Sequence, residues 1–362
     1  FTGIGSIDNF GINVPEEYSE EQQATLEQVP VINQWTTTSG LTWKRRFKDN
    51  TGYLNTTIST NILNNDFTRY RDNINLTDAY FDNQSREWET RLRTNITKFA
   101  GNWVLNAGLL GINADYSNTT RDLVDDFSYT SNLNFFRYGL NGQASIKLAD
   151  ERLGVSAGFR MDGNTFTTEG NDIYRTFSPR VSLSYSLDAA RKWSLNASAG
   201  RYYKLPPYTI LGFRNAQGIF ANQDVSYIQS DHLVSGIEYL VSPSARITVE
   251  GFYKKYSDYP VSTTTGVSLA NLGGGFEVLG NEPVISTGDG ETYGVEFLFQ
   301  QKFTKNFYGI LAYTYYHSRF TGLDGLYRPS VWDNRHLLTF TGGYQFGNNW
   351  EIGIRTRYLG ST

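Results

Sequence analysis

Side chains able to do chemistry are present in this chain but are not grouped for it. The three histidines, His232, His317 and His336, are scattered, and no two of them stand at metal-ligand spacing. Cysteine is absent, which removes thiolate metal sites and disulfides. Asp122-Leu123-Val124-Asp125-Asp126 could hold calcium weakly, but it reads more simply as a solvated acidic loop. Gly273-Gly274-Gly275 precedes no strand-to-helix phosphate cradle and reads as a flexible loop. Serine is too abundant for any one serine to mark a nucleophile. The sequence therefore predicts no catalytic residue, no metal, no cofactor and no enzyme.

Charges within the alternating segments say more. Arg91, Arg93, Arg160, Arg180, Glu238, Glu250, Glu296, Arg355 and Arg357 all fall on the polar side of a two-residue alternation. In Phe177 to Leu187, for example, Val181, Leu183 and Tyr185 oppose Arg180, Ser182 and Ser184. In Tyr138 to Leu148, Leu140 and Ile146 oppose Asn141 and Lys147, and near Trp193 Leu195 opposes Asn196. A helix cannot use such a pattern, because its 3.6-residue period spreads both sets around the surface. These are strands with one apolar face and one wet face.

Marking every such run gives about fourteen strands, near 35–47, 53–63, 87–98, 102–116, 135–148, 153–162, 177–187, 193–203, 232–241, 246–257, 292–303, 307–319, 335–346 and 350–360. Most are about eleven or twelve residues long, the length of a tilted strand crossing a bilayer. Between Trp103 and Ala114 the apolar phase slips, which predicts a β-bulge near Leu109. Glu16 to Gln28, bracketed by Pro15 and Pro30, is the one run able to form a short helix. Connections are tight at 48–52, 149–152, 188–192, 242–245, 304–306 and 347–349, and long at 64–86, 117–134, 163–176, 204–231, 258–291 and 320–334. Short and long connections alternate strictly, as the two ends of an outer-membrane barrel require.

Tryptophans support this reading independently. Trp43, Trp103, Trp193 and Trp350 lie beside tight turns, and Trp35 and Trp88 at the other ends of their strands. Indoles collect at such positions because the ring is apolar while its N–H seeks water, so these six are predicted to form membrane girdles. Composition agrees. Aromatic residues make up 15% of 362, and no apolar run reaches the ~18 residues of a membrane helix. A barrel wall needs apolar residues only at alternate positions, so its mean hydropathy is low. The net charge of -4 is spread out, with no basic stripe for nucleic acid.

On this pattern the nine charges face a lumen, since burying a cation in lipid near the midplane costs about 2–4 kcal/mol. Residues 1–34 read as the remnant of an extracellular loop, and 35–362 as a partial barrel. The strands near 35–47 and 350–360 are expected not to pair with each other, with an odd number of further strands beyond each. Aromatics in the long loops, Tyr208, Phe213, Phe220, Tyr227, Phe276 and Trp332, are the candidate ligand contacts.

Several stretches resemble one family. Arg201-Tyr202-Tyr203-Lys204-Leu205-Pro206-Pro207, His232 to Tyr239, Glu250-Gly251-Phe252-Tyr253-Lys254-Lys255-Tyr256, Glu291-Thr292-Tyr293-Gly294-Val295-Glu296, Tyr313-Thr314-Tyr315 and Trp332-Asp333-Asn334-Arg335-His336 are similar, in order and spacing, to the barrel of TonB-dependent outer-membrane receptors. The resemblance is clearest from about 193 to 360, and nothing in it matches the family's plug domain or TonB box. It implies an antiparallel up-and-down barrel of 22 strands in the Gram-negative outer membrane. It also implies energised uptake of a bulky, scarce ligand such as a siderophore, cofactor or glycan. Expected partners are TonB, outer-membrane lipid and lipopolysaccharide, and a surface lipoprotein or extracellular ligand. The competing readings are a channel of fatty-acid-transporter type and a barrel serving an adhesin or secretion complex.

Overall fold

The computed structural model describes residues 1–11, 19–124, 126–273, 278–347 and 349–361. Its strands are β1 (Thr2–Phe10), β2 (Val31–Arg46), β3 (Gly52–Asp72), β4 (Thr77–Ala100), β5 (Trp103–Asp122), β6 (Phe127–Leu148), β7 (Leu153–Asn164) and β8 (Ser178–Ser186). They continue as β9 (Trp193–Lys204), β10 (Ile228–Ser242), β11 (Ala245–Ser262), β12 (Val284–Thr304), β13 (Phe307–Thr321), β14 (Tyr327–Pro329), β15 (His336–Phe346) and β16 (Trp350–Leu359). All belong to one antiparallel sheet in which each strand pairs with the next, except that β14 pairs only with β13, which also pairs with β15. β1 and β16 are the outer strands and do not pair with each other. The helices are short: α1 (Glu20–Gln28) and α2 (Tyr208–Leu211).

Each of the fourteen expected spans is a strand, yet several run further than the apolar alternation does. β3 and β4 pair up to Asp72 opposite Thr77, with one register shift between Arg69 and Tyr70, and β5 and β6 stay in register up to Asp122 opposite Phe127. The connections expected at 64–86 and 117–134 are thus mostly hairpin. Ladder hydrogen bonds continue where polar Asn, Thr and Asp replace the apolar set, because the backbone pairs regardless of what the side chains face.

Residues 1–34 are not simply loop. Thr2–Phe10 forms β1, paired with β2 from Gly40 to Ile32, so that stretch of β2 has a neighbour on both sides, supplied by residues read in the sequence as loop remnant. α1 starts at a capping box in which Ser19 accepts from the Gln22 backbone N–H and the Gln22 side chain accepts from the Ser19 N–H. Residues 12–18, including the expected helix start at Glu16, lie outside the described residues.

The bulge expected near Leu109 is absent. β5 pairs without a register shift to β4 and to β6. The phase slip has a different origin. One face of β5 is apolar through Leu105 and Leu109 and turns polar at Asn113 and Asp115. The opposite face turns apolar at Leu110, Ile112, Ala114 and Tyr116, where loops cover it, and Ile112, Ala114 and Tyr116 are buried. The dry side changes while the register does not.

Tight turns use left-handed backbone. At the β12–β13 turn Lys305 and Asn306 have φ of 49° and 71°, the pair of positive angles that matches strand twist across a two-residue hairpin. In the β8–β9 turn the Asp188 carboxylate accepts from the Trp193 N–H at 2.8 Å.

Candidate functional site

Register partners in a sheet point their side chains the same way, so the pairings place the charges. On one level Arg93, Leu110, Gly139 and Asp162 are successive partners, and on the next Asn141, Arg160 and Ser178. Gly158, Arg180, Gly200, His232 and Lys254 follow across β7 to β11. Gly236, Glu250, Glu296 and Thr314 continue to β13, and Thr339 and Thr341 oppose Arg357 and Arg355. All nine charges singled out in the sequence lie on this one polar face.

Several have partners. Arg91 pairs with Glu89, Arg246 with Glu238 at 3.2 Å, and Arg160 donates twice to Asp162, at 2.7 and 2.5 Å. Glu250 and Glu296 stand directly opposite each other, a like-charge pairing that disfavours the ladder locally.

The other face is apolar and exposed. Leu92, Leu109, Val181, Leu183, Leu195 and Ile352 lie on it, each at least 42% exposed. Trp35, Trp43, Trp88, Trp103, Trp193 and Trp350 lie on it as well, exposed by 39% to 76%. No soluble core would leave so many large apolar side chains uncovered.

At the long-loop end the polar face carries a compact cluster. Tyr116, Leu133 and Phe135 of the wall are buried against Leu205, Tyr208, Ile210, Leu211 and Val225 of the β9–β10 connection, with Leu269 and Val284 alongside. Tyr208 meets Phe135 edge-on at 5.5 Å, and Phe213 meets Tyr129 likewise at 5.5 Å. A polar lock sits beneath. The Tyr208 hydroxyl donates to Glu89 and accepts from Arg137 Nη1 at 2.8 Å, while Arg137 also donates to Glu89 at 3.1 Å. Burial pushes the Tyr208 hydroxyl well above the usual phenol range, so it stays protonated as the donor. Asn222 ties the connection to its neighbour, donating to the Ile210 carbonyl at 2.8 Å and accepting from the Val284 N–H at 2.9 Å.

The structure therefore sorts the candidate ligand contacts. Tyr208 and Phe213 are buried inside the cluster, with 6% and 5% exposure. Phe220 lies under the Arg214 guanidinium at 3.7 Å and against Phe166, and the Tyr227 hydroxyl accepts from Asn164 at 3.2 Å. Trp332 is 61% exposed in a different loop. Phe276 lies outside the described residues. Glu89 and Arg137, which hold the cluster, were not singled out in the sequence. Their signal was the apolar turn of β5's polar face, which marks where something must cover it.

Among the described residues no group of His, Asp and Glu is arranged to hold a metal ion. His232 donates or accepts at Ser230 (2.7 Å), and His317 and His336 are bonded to Tyr315 and Tyr313.

A family model described as TonB dependent receptor-like, beta-barrel matches residues 7–362. No curated protein matches the chain. Solved structures do. The FrpB iron transporter from Neisseria meningitidis is 14% identical with a TM-score of 0.66, covering 99% of this chain and 55% of that one. The pyoverdine outer membrane receptor FpvA from Pseudomonas aeruginosa PAO1 is 14% identical with a TM-score of 0.64, covering 91% and 51%. The alcaligin outer membrane receptor FauA from Bordetella pertussis is 11% identical with a TM-score of 0.62, covering 91% and 54%. At these identities the likeness is one of fold, and the chain spans about half the length of the structures it matches.

Proposed function

Because this chain belongs to the TonB-dependent receptor-like β-barrel family, a family of outer-membrane receptor and transporter barrels and not of enzymes, we propose that it forms the membrane wall of a receptor for energised uptake. The ligand class is a bulky, scarce molecule such as a siderophore, a cofactor or a glycan. A metal chelate draws support from the neighbours named for pyoverdine, alcaligin and iron. In this reading the polar face lines the lumen and the tryptophan-flanked face meets lipid and lipopolysaccharide. The sheet is part of a closed barrel, of the 22-stranded kind, because free strand edges in hydrocarbon leave backbone groups unsatisfied. TonB is the partner that supplies the energy.

The observation that carries the proposal is the separation of faces. Nine charges share one face of the sheet while the other is apolar across its whole width. A mixed-charge wall suits a filled, wet lumen better than a path for fatty acids, which argues against the channel alternative. Phe220, Tyr227 and Trp332 remain the proposed ligand contacts, and Tyr208 and Phe213 act by holding the loops that present them. The test is accumulation of labelled ferric siderophores, cobalamin and oligosaccharides by cells carrying the full-length receptor, with and without TonB. TonB-dependent uptake of one class is expected. Uptake indifferent to TonB, or none from any class, would overturn the reading.

A further inference from the structure

Arg93, Arg160 and Arg180 come from three different strands and line a single concavity of about 380 Å³ on the polar face. Their states differ. Arg160 is aimed and neutralised by Asp162. Arg93 has no ion-pair partner among the described residues, and Arg180 has only the ring of Tyr202, 4.3 Å below its guanidinium. The concavity is thus lined by three guanidinium groups and no carboxylate. Glu250, the acid beyond, lines a separate hollow.

The hollow is built as well as charged. Gly200 clears the space in which the Tyr202 ring lies flat, since a Cβ there would stand 3.1 Å from Arg180 Cγ and 3.3 Å from the Tyr202 ring. Tyr202 is backed in turn by His232, ring centres 4.5 Å apart. The guanidinium of Arg180 is therefore held in place without an acid to spend its charge on. Neutral donors and acceptors, Asn141 and Ser182, fill the gaps between the cations.

We propose that Arg93 and Arg180, beside the Asp162-paired Arg160, form an oxyanion subsite, taking carboxylate or phosphate oxygens in the middle of the wall. Guanidinium forks match the two oxygens of such groups. The proposal deepens the uptake reading and rests on this face being a lumen. The oxyanion can come from a solute passing through or from acidic side chains of polypeptide filling the lumen.

Citrate, titrated into the full-length receptor in detergent at low ionic strength, separates the sources. For a solute site, citrate binds, and the Arg93→Gln/Arg180→Gln pair weakens it about tenfold or more. The Arg355→Gln/Arg357→Gln pair, the same charge change on the polar face of β16, leaves it unchanged. For a site filled by the protein's own carboxylates, citrate does not bind the unaltered receptor. The first pair then lowers the melting temperature and the second does not. Two results would overturn the subsite: equal effects of both pairs on binding or melting, or no citrate binding together with unchanged melting. Either could occur with TonB-dependent uptake intact, which would leave the uptake reading standing.

Discussion

The Tyr208 hydroxyl and the Arg137 guanidinium lie 2.8 Å apart, joining the β9–β10 connection to the wall across 71 residues of sequence. Both also bond Glu89, which is only 7% exposed. A buried carboxylate needs such partners, since its desolvation is otherwise uncompensated. The loop is thus a folded part of the wall, held by this phenol together with the apolar cluster above it.

Tyr208→Phe keeps the ring and removes the hydroxyl, leaving Glu89 and Arg137 each short of one bond. A cost of about 1–3 kcal/mol to local loop stability is expected. Amide hydrogen exchange across 205–227 should quicken while the sheet strands are unaffected. Unchanged exchange in that segment would show that the apolar cluster alone holds the loop.

Gly200 and Gly154 both lie on the polar face but differ in surroundings. A Cβ on Gly200 crowds Arg180 and Tyr202, whereas on Gly154 the nearest atoms are 3.9 and 4.0 Å away. Gly200→Ala should lower stability by about 1 kcal/mol or more by displacing the Tyr202 ring, and Gly154→Ala should not. Urea-induced unfolding in detergent compares them; equal midpoints would mean the ring is not held as described.

Spin labels along β5 should report the exchange of its dry side. Labels at Leu105 and Leu109 are expected to be accessible to oxygen dissolved in lipid, and labels at Asn113 and Asp115 to a water-soluble relaxant. A label at Ala114 should be immobilised. Oxygen access continuing unchanged through Asp115 would place the membrane boundary elsewhere.

Asp324 gives a pH prediction in a loop. The Arg328 side chain donates to it at 2.6 and 2.9 Å, and with the Leu326 N–H it lowers the Asp324 pKa from 3.8 to about 2. A depressed value means the pairing supports the folded loop above the ordinary carboxylate pKa and is lost as pH falls toward about 2. Carboxyl carbon NMR should show Asp324 titrating below the other loop aspartates, and Arg328→Gln should return it toward 3.8. A normal titration in the unaltered protein would contradict the ion pair.

Much of the fold was legible because its physics is local. Val181 and Leu183 against Arg180 and Ser182 specify a two-faced strand, and the turn at Lys305 and Asn306 specifies a hairpin. Trp103 and Trp193 stand beside their turns on the exposed apolar face, as the alternation requires. None of these needs knowledge of a distant residue. The upper hairpins were harder, since strands of Thr, Asn and Asp carry no apolar period, and β1 was harder because Ile4 and Ile7 stand three residues apart on opposite faces.

The candidate site was legible only in part. Which face the nine charges occupy followed from alternation, but which of them would be paired did not. Arg160 meets Asp162 two residues away, while Arg93 and Arg180 share a hollow because three intervening strands bring them together. Tyr208 and Phe213 looked like ligand contacts because loop aromatics serve for gripping and for packing alike. Their burial depends on Tyr116, Leu133 and Phe135, residues of distant strands.

The sequence by itself determined the class of the molecule: strand period, turn chemistry and the placing of tryptophans beside turns all act within a dozen residues and survive in any arrangement of the sheet. Only the tertiary structure decided what covers β5 beyond Leu109, and hence why its apolar phase changes without a bulge. The reason is that alternation records whether a face is dry. Lipid and a docked loop make it dry in the same way, and only contacts across the sheet distinguish them.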